Sequence, residues 1–299
     1  MTRPISPAAA MFKGANGNTL AGDVYGEQGP PVLLLHGGGQ TRHAWKKTGD
    51  LIARMGRTAY AVDQRGHGDS EWVADGAYQY GDFSADARVL ADTLAERSGV
   101  RPAVVGASLG GMAALLAEGG RPASGAMFSA LVLVDITPRV DMDGVSKIQA
   151  FMRANSREGF GSIAEAADAV AAYLPHRPRP TETSGLMKNL RLRGDGRYYW
   201  HWDPRIVEIA PEALAKQYER MAAAARNIKV PSLLVRGGNS ELLDDASVKD
   251  FLELVPTAEY AVIKGAHHMV AGDSNTAFSS AVVDFMQRRV DHGKTGHFD

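Results

Sequence analysis

An apolar run at 103–105 leads directly into Gly106-Ala107-Ser108-Leu109-Gly110, and a helical run of alanines and leucines follows. Small residues on both sides of a serine are typical of a sharp turn between a strand and a helix, because larger side chains would collide with the neighbouring backbone. Such a turn holds Ser108 out at the end of a sheet, where the first amides of the helix favour a developing negative charge. The stretch predicts a nucleophilic serine at a strand-to-helix elbow, while an ordinary loop is the alternative for the five-residue pattern alone.

The composition limits the kind of partner that the chain can have. Its 299 residues include 33 Lys+Arg and 34 Asp+Glu, and a net charge of -1 favours neither nucleic acid nor an anionic membrane surface. A small-molecule substrate is therefore the expected partner. The absence of cysteine excludes disulfides, a thiol nucleophile and thiolate metal sites. The chain has neither a run of ~18 apolar residues nor the apolar core of a signal peptide, so we expect a cytoplasmic protein. The sequence carries no signature of an oligomeric state.

Strands and helices alternate along most of the chain. Asn16-Gly17 between two extendable stretches predicts an N-terminal hairpin. Short apolar runs suited to strands buried on both faces follow at 31–35 and 58–63, and further strands are expected at 103–105, within 130–138 and 230–239, and at 259–263. Helical patterns lie between most of these runs. The alternation predicts an α/β fold with a mostly parallel central sheet covered by helices on both faces.

The pattern changes between 139 and 227. Helical runs in its first part are followed by a proline-rich break and an aromatic cluster that contains Trp200 and Trp202, and no buried strand is expected there. We therefore expect a helical cap at 139–227, inserted into a core made of 1–138 and 228–299. Trp200 and Trp202 are candidate substrate contacts in a pocket wall, although aromatic residues that only fill the core of the cap would give the same pattern.

Three consecutive glycines follow the first buried strand, in His36-Gly37-Gly38-Gly39. Because glycines destabilise a strand end, one interpretation is a backbone that approaches a ligand and aims N–H groups at it, and the other is a flexible turn. Gly37, in this run, and Trp45, shortly after it, are further candidate substrate contacts. Asp63 and His67, after the next strand, are interpreted as side chains that brace a tight turn through local hydrogen bonds.

A nucleophilic serine requires two partners. A serine hydroxyl is a poor nucleophile near neutral pH, so it needs a base to take its proton and an acid to hold that base in one tautomer. His267 and His268 lie in a glycine-containing loop after the last predicted strand, from which a side chain can reach back across the sheet. A pair of histidines allows one to be structural and the other catalytic.

Four motifs occur in order along the chain: His36-Gly37-Gly38, the run 63–70, the elbow at Ser108, and Gly-Ala-x-His-Met at 265–269. On these motifs residues 11–290 resemble the serine-nucleophile branch of the α/β-hydrolase fold superfamily, which includes small esterases and perhydrolases. The resemblance implies an α/β-hydrolase fold and oxyanion donors at the amides of Gly38 and Leu109. Through the usual Gly-x-His pattern it also implies His268 as the base.

The acid departs from the usual pattern. Many members of the superfamily carry it as Gly-x-x-Asp after a later strand, where this chain has Ser240, and a serine cannot carry the charge. A subgroup of small esterases is similar to this chain in Val-Asp-Ile-x-Pro at 134–138 and in Gly-Gly-Asn-Ser at 237–240, and there the acid follows the sixth strand. The resemblance therefore implies Asp135 as the acid, with Glu241 as the first alternative and Asp244 and Asp245 as further ones.

The chemistry implied is that of a serine hydrolase. Ser108 would attack an acyl carbonyl, His268 would take and return the proton, and Asp135 would orient His268, with no metal and no cofactor. We expect cleavage of a carboxylic ester or lactone of a small, hydrophobic substrate through an acyl-enzyme intermediate. The same triad would serve a C–C bond hydrolase or a cofactor-free perhydrolase (haloperoxidase), and a small-molecule receptor that retains the triad is an alternative of another class.

Overall fold

The computed structural model describes residues 5–120, 125–175, 179, 183–208, 217–268, 270 and 275–291. Its strands are β1 Ala8–Lys13, β2 Thr19–Tyr25, β3 Pro31–Leu35, β4 Thr58–Val62, β5 Ala103–Ala107, β6 Ala130–Val134, β7 Leu190–Leu192, β8 Tyr198–Trp200, β9 Ser232–Gly237 and β10 Glu259–Ile263. Eight of them form one sheet in the order β1-β2-β4-β3-β5-β6-β9-β10. The strands from β4 to β10 in this order are parallel, and β2 is antiparallel to both of its neighbours. The predicted hairpin and the mostly parallel sheet are confirmed.

Helices cover both faces of this sheet. They are α1 Lys46–Arg54, α2 Tyr80–Ser98, α3 Leu109–Gly119, α4 Met142–Arg153, α5 Ile163–Tyr173, α6 Ser184–Met187, α7 Gln217–Arg226, α8 Asp245–Leu254 and α9 Asn275–Met286, with 3-10 helices at Arg42–Trp45 and Pro204–Val207. Helices α1 and α9 pack with one face of the sheet, and α2, α3, α7 and α8 pack with the other. The two-sided cover that the apolar strands predict is therefore present.

Helix α2 illustrates why these segments fold as they do. Its apolar residues recur every three or four positions, so they share one face, and that face is buried against the sheet. At the start of the helix, Gln79 and Asp82 form a reciprocal capping box that pairs two free amides. The helix ends at Gly99, whose φ of 74° lies in the left-handed region that favours glycine.

The carboxyl ends of the parallel strands place the predicted site at one edge of the sheet. The loop at 36–40 follows β3, Ser108 follows β5, and Asp135 follows β6. Neighbouring parallel strands in register bring their ends to the same edge, and Ala107 is paired with Val134 across β5 and β6. Residues that are far apart in the sequence therefore meet there.

The segment predicted to be a cap contains more than helices. Strands β7 and β8 form an antiparallel pair outside the main sheet, joined by a turn in which Gly196 has a φ of 78°. The sequence predicts no buried strand in this segment, and neither of these strands is buried along its whole length; the two three-residue strands pair locally across a short turn with glycine. Helix α7 packs against α3 and joins the core on that face. The cap as a unit, 139–227, stays a prediction.

Some predicted features cannot be placed. Residues 176–178 and 180 of the proline-rich break, and Met269 at the end of the last motif, lie outside the described residues. Across the described part of the chain, each helix is too short or too polar to cross a membrane.

Candidate active site

Ser108 lies at a strained elbow between β5 and α3. Its φ of 45° and ψ of −112° are rare for a residue with a side chain, and such strain persists only where the surroundings enforce it. A Cβ added to Gly106 would lie 2.4 Å from the Gly110 carbonyl oxygen, so the turn closes only with glycine at that position. The Ser108 amide donates a hydrogen bond to the Val134 carbonyl at 3.1 Å. The serine is thereby held at the start of α3, next to the residue that precedes Asp135.

Asp135 and His268 form a hydrogen-bonded pair at this edge. The His268 Nδ1 atom donates to Asp135 Oδ2 at 2.8 Å, and the Asp135 side chain is fully buried. A carboxylate can only accept here, so Nδ1 carries a proton, and in the neutral ring Nε2 keeps its lone pair. Asp135 also has a positive φ, 50°, and its Oδ1 accepts the Gly237 amide at 2.8 Å. The structure thus brings Asp135, and not Glu241, to the His268 ring.

Ser240 is a site residue that the sequence analysis missed. It occupies the position where an acid is usual, and its hydroxyl donates to Asp135 Oδ2 at 2.6 Å. The Ser240 hydroxyl oxygen also accepts the amides of Leu242 and Leu243 at 3.1 and 3.0 Å. A serine cannot carry the charge, but here its hydroxyl donates to the carboxylate that contacts the His268 ring. Ser240 follows β9 and Asp135 follows the neighbouring strand β6, so their positions at two adjacent strand ends are the signal that could have indicated this hydrogen bond.

Glu241, the alternative acid, supports the histidine loop instead. Its Oε1 accepts the His267 Nδ1 proton at 2.8 Å and its Oε2 accepts the His268 amide at 3.1 Å. Partial burial acts to raise the pKa of Glu241, but the hydrogen bonds from His267 and the His268 amide outweigh it and lower the pKa. The two histidines therefore have different carboxylate partners.

The glycine loop after β3 lies beside the elbow, with Gly37 nearest to Ser108. A Cβ on Gly37 would be 3.4 Å from the Ser108 Cβ, and one on Gly38 would be 4.0 Å from Leu109 Cδ2. The Gly110 amide donates to the His36 carbonyl at 3.2 Å, which ties this loop to the elbow. Any side chain at Gly37 would fill space beside Ser108, which gives a physical reason for glycine there.

Two buried histidines support the glycine loop. His67 Nε2 accepts the Gly39 amide at 3.2 Å, and His36 Nε2 accepts the Gln64 amide at 3.0 Å. Burial lowers the pKa of His36 to about 4 and that of His67 to about 3, so both rings are neutral near pH 7. The interpretation of His67 as a local turn brace is incomplete, because its ring also reaches the loop 28 residues earlier.

Trp200 and Trp202 stack on one another with their ring centroids 4.7 Å apart. The six-membered ring of Trp202 lies about 3.4–3.5 Å from the position of a Cβ on Gly39, so Trp202 borders the glycine loop. Trp200 lies behind it and packs against Phe160, with the ring centroids 5.0 Å apart. Of the two tryptophans, Trp202 is the one next to the loop.

Trp45 is not brought to the site. Its ring is 1% exposed and packs against Phe278 of α9, with 6.0 Å between the centroids. The prediction of Trp45 as a substrate contact is wrong because the 3-10 helix Arg42–Trp45 directs this large apolar side chain into the core, where burial stabilises it.

A mostly parallel sheet with a strained serine and a histidine bonded to a buried aspartate at the carboxyl edge of its strands is the architecture of the α/β hydrolases. The chain belongs to the family whose model is described as serine aminopeptidase, S33, which matches residues 27–275. It is 29% identical over 274 residues to esterase Rv0045c of Mycobacterium tuberculosis, which covers 89% of this chain and 85% of that protein.

Two further similarities agree with this family. The chain is 28% identical over 265 residues to 2-(acetamidomethylene)succinate hydrolase of Mesorhizobium japonicum, with 86% of this chain and 88% of that protein covered. A crystal structure of E-2-(acetamidomethylene)succinate hydrolase has a TM-score of 0.79 at 24% identity, over 94% of this chain and 99% of that one, and so shows the same fold. The named relatives support a hydrolase activity.

Proposed function

We propose that the chain is a serine hydrolase that cleaves a carboxylic ester or lactone of a small, hydrophobic substrate through an acyl-enzyme intermediate. The observation that carries the proposal is the hydrogen bond from His268 Nδ1 to the buried carboxylate of Asp135, at the sheet edge where the strained Ser108 lies. A base held in this tautomer can accept a proton on Nε2.

The proposed reaction has two halves. In the first, Ser108 Oγ attacks the acyl carbonyl while His268 Nε2 takes its proton, and the proton then passes to the departing alkoxide. In the second, a water molecule attacks the acyl-enzyme with His268 as the base, and Ser108 regains its proton as the acid leaves. Asp135 stabilises the charged imidazole in both halves. The amides of Gly38 and Leu109 are the proposed donors to the tetrahedral oxyanion.

The proposed substrate class rests on what surrounds the glycine loop. Leu109, Met152 and Trp202 lie within about 4 Å of the positions that side chains on Gly38 or Gly39 would take. All three belong to one apolar cluster next to the serine. Apolar walls favour an acyl or alcohol group without charge, because a charge would lose hydration there without gaining a partner.

The experiment is turnover of p-nitrophenyl esters of increasing acyl length and of small lactones, with labelling of the serine by a fluorophosphonate. Ser108→Ala is expected to lose on the order of 10⁶ in kcat and all labelling. Unchanged turnover in Ser108→Ala would refute the proposal. Ser108-dependent cleavage of a diketone, or peroxide-dependent perhydrolysis, in preference to every ester would select the other chemistries of the same triad. Tight ligand binding with negligible turnover would select a receptor.

A further inference from the structure

His201 links the segment that follows β8 to the glycine loop. Its ring is almost fully buried, at 1% exposure of the residue, and both of its nitrogens have backbone partners. Nδ1 accepts the Gly68 amide at 2.7 Å, and Nε2 lies 3.3 Å from the Gly39 carbonyl oxygen. An amide can only donate and a carbonyl can only accept, so the ring proton lies on Nε2 and points to Gly39.

The charge state of His201 agrees with this arrangement. Burial lowers the pKa of His201 well below its usual value, and the neighbouring His67 and His36 lower it further. The ring is therefore neutral near pH 7, with one donor and one acceptor, which matches the two backbone groups that it contacts. A doubly protonated ring would have no acceptor for the Gly68 amide.

Gly39 is held on both sides of its Cα. Its carbonyl faces His201, and its amide donates to His67 Nε2 at 3.2 Å. The φ of Gly39 is 71°, a conformation that L side chains rarely adopt, and Trp202 and Met152 pack where a Cβ would be. Because the Gly39 amide shares its peptide unit with the Gly38 carbonyl, these contacts also restrict the orientation of the backbone at Gly38.

We infer that His201 is a positioning residue that holds the glycine loop in the orientation in which the Gly38 amide can donate to an oxyanion. The inference rests on the proposed function, since it concerns the same reaction. His201 itself does not touch the reacting atoms; it acts through Gly39. His201 lies 162 residues after Gly39 in the sequence, so the segment after β8 supports a glycine loop that is distant along the chain.

The backbone around His201 is anchored by contacts that do not involve its ring. The Asp203 amide donates to the Gly66 carbonyl at 2.8 Å, and the Tyr78 hydroxyl donates to Asp203 Oδ2 at 2.7 Å. Tyr78→Phe therefore loosens the same segment without touching Gly39. This makes it a matched control for a role of the segment in stability alone.

The test compares three variants with p-nitrophenyl butyrate as substrate and n-butylboronic acid as an analogue of the tetrahedral intermediate. His201→Met keeps the volume of the ring but has no donor for Gly39, and is expected to lower kcat about 10- to 100-fold with KM within about twofold. Loss of an oxyanion donor outright costs about 10² to 10³, so a misplaced donor should cost less. The inhibition constant of the boronic acid should rise by a factor similar to the fall in kcat.

The conservative variant His201→Gln, which keeps one donor and one acceptor, is expected to restore kcat to within about threefold. Tyr78→Phe should lower the melting temperature and leave kcat within about twofold. The inference is overturned if kcat of His201→Met is unchanged, if His201→Gln is no better than His201→Met, or if Tyr78→Phe loses as much kcat. Failure of the wild type to hydrolyse the ester or to react with a fluorophosphonate would remove the proposed function first, and the inference with it.

A measurement on the wild type keeps the inference falsifiable if His201→Met does not fold. Nitrogen NMR of the histidine rings at pH 7 should show His201 as the neutral Nε2–H tautomer. An Nδ1–H tautomer or a charged ring would overturn the inference, because neither can accept from Gly68 and donate to Gly39 together.

Discussion

Asp135→Asn is the substitution that tests the site most directly. The Asp135 carboxylate accepts three hydrogen bonds, from the Gly237 amide, the Ser240 hydroxyl and His268 Nδ1, and it is fully buried. Asparagine keeps one oxygen, which can still accept from Gly237. Its amide nitrogen is a donor, so when it faces His268 it favours the ring with a bare Nδ1 and a protonated Nε2. That tautomer cannot take the Ser108 proton.

The expected loss of kcat follows from this change of the His268 tautomer. An acid-to-amide change of the same kind costs about 10⁴ in kcat in a serine protease triad, which equals about 5.5 kcal/mol of barrier. The matched variant is Glu241→Gln, because Glu241 contacts the ring of His267 but only the backbone amide of His268, and its side chain is 43% exposed. We expect Glu241→Gln to stay within about tenfold of the wild type, since its loss is the bracing of an exposed loop.

The assay is kcat for p-nitrophenyl butyrate, with circular dichroism to confirm that each variant is folded. Fluorophosphonate labelling of Ser108 should slow in Asp135→Asn by a factor similar to kcat, because labelling uses the same base. A loss of 10³ or more in Glu241→Gln, together with less than tenfold in Asp135→Asn, would refute the assignment of Asp135 as the acid.

Two further predictions concern the support of this site. Ser240→Ala removes one of the three donors to Asp135, and we expect kcat/KM to fall about tenfold in ester hydrolysis, with Ser240→Thr retaining most of the activity because it keeps the hydroxyl. Stability should decrease with acidification because burial lowers the pKa of His36 to about 4 and of His67 to about 3, whereas unfolded histidine titrates near about 6.5. Between these values the unfolded state binds more protons, so the stabilisation is complete above about pH 6.5 and is lost as the pH falls through this window, by up to about 1.4 kcal/mol per pH unit for each ring. Urea unfolding at pH 7.5 and at pH 5 measures this loss in the free energy of unfolding. In His67→Gln the free energy of unfolding should change less with pH. An equally steep change with pH in that variant would contradict the role of His67.

Local patterns were sufficient for the sheet and for the elbow. Short apolar runs such as 31–35 and 130–134 indicate strands covered on both faces because successive side chains of a strand point to opposite faces, and in the structure every residue of these two runs is buried. The small residues around Ser108 indicate its turn because the backbone at Gly106 passes within contact distance of Gly110. Both signals lie within a few residues, so they are visible in the sequence.

The choice between acids depends on residues far apart in the chain. Asp135 lies 133 positions before His268, while Glu241 lies 27 positions before it. Sequence distance would favour Glu241, and only a resemblance to related chains favours Asp135. The parallel pairing of β6 with β9 sets Asp135 beside Gly237, and from there its carboxylate accepts hydrogen bonds from the Gly237 amide and the His268 ring.

Residue type alone also could not separate the tryptophans or the histidines. Trp45 and Trp202 are both nearly fully buried, yet Trp45 packs against Phe278 on the face of the sheet covered by α1 and α9, and Trp202 packs on Gly39. His201 has no motif around it that points to the glycine loop, and its role exists only because the chain returns to Gly39 after more than a hundred residues. The sequence therefore determines where strands, turns and a strained serine occur, since these depend on neighbouring residues. The partners that orient them are decided by tertiary packing, since hydrogen bonds form between groups that the fold brings together whatever their distance along the chain.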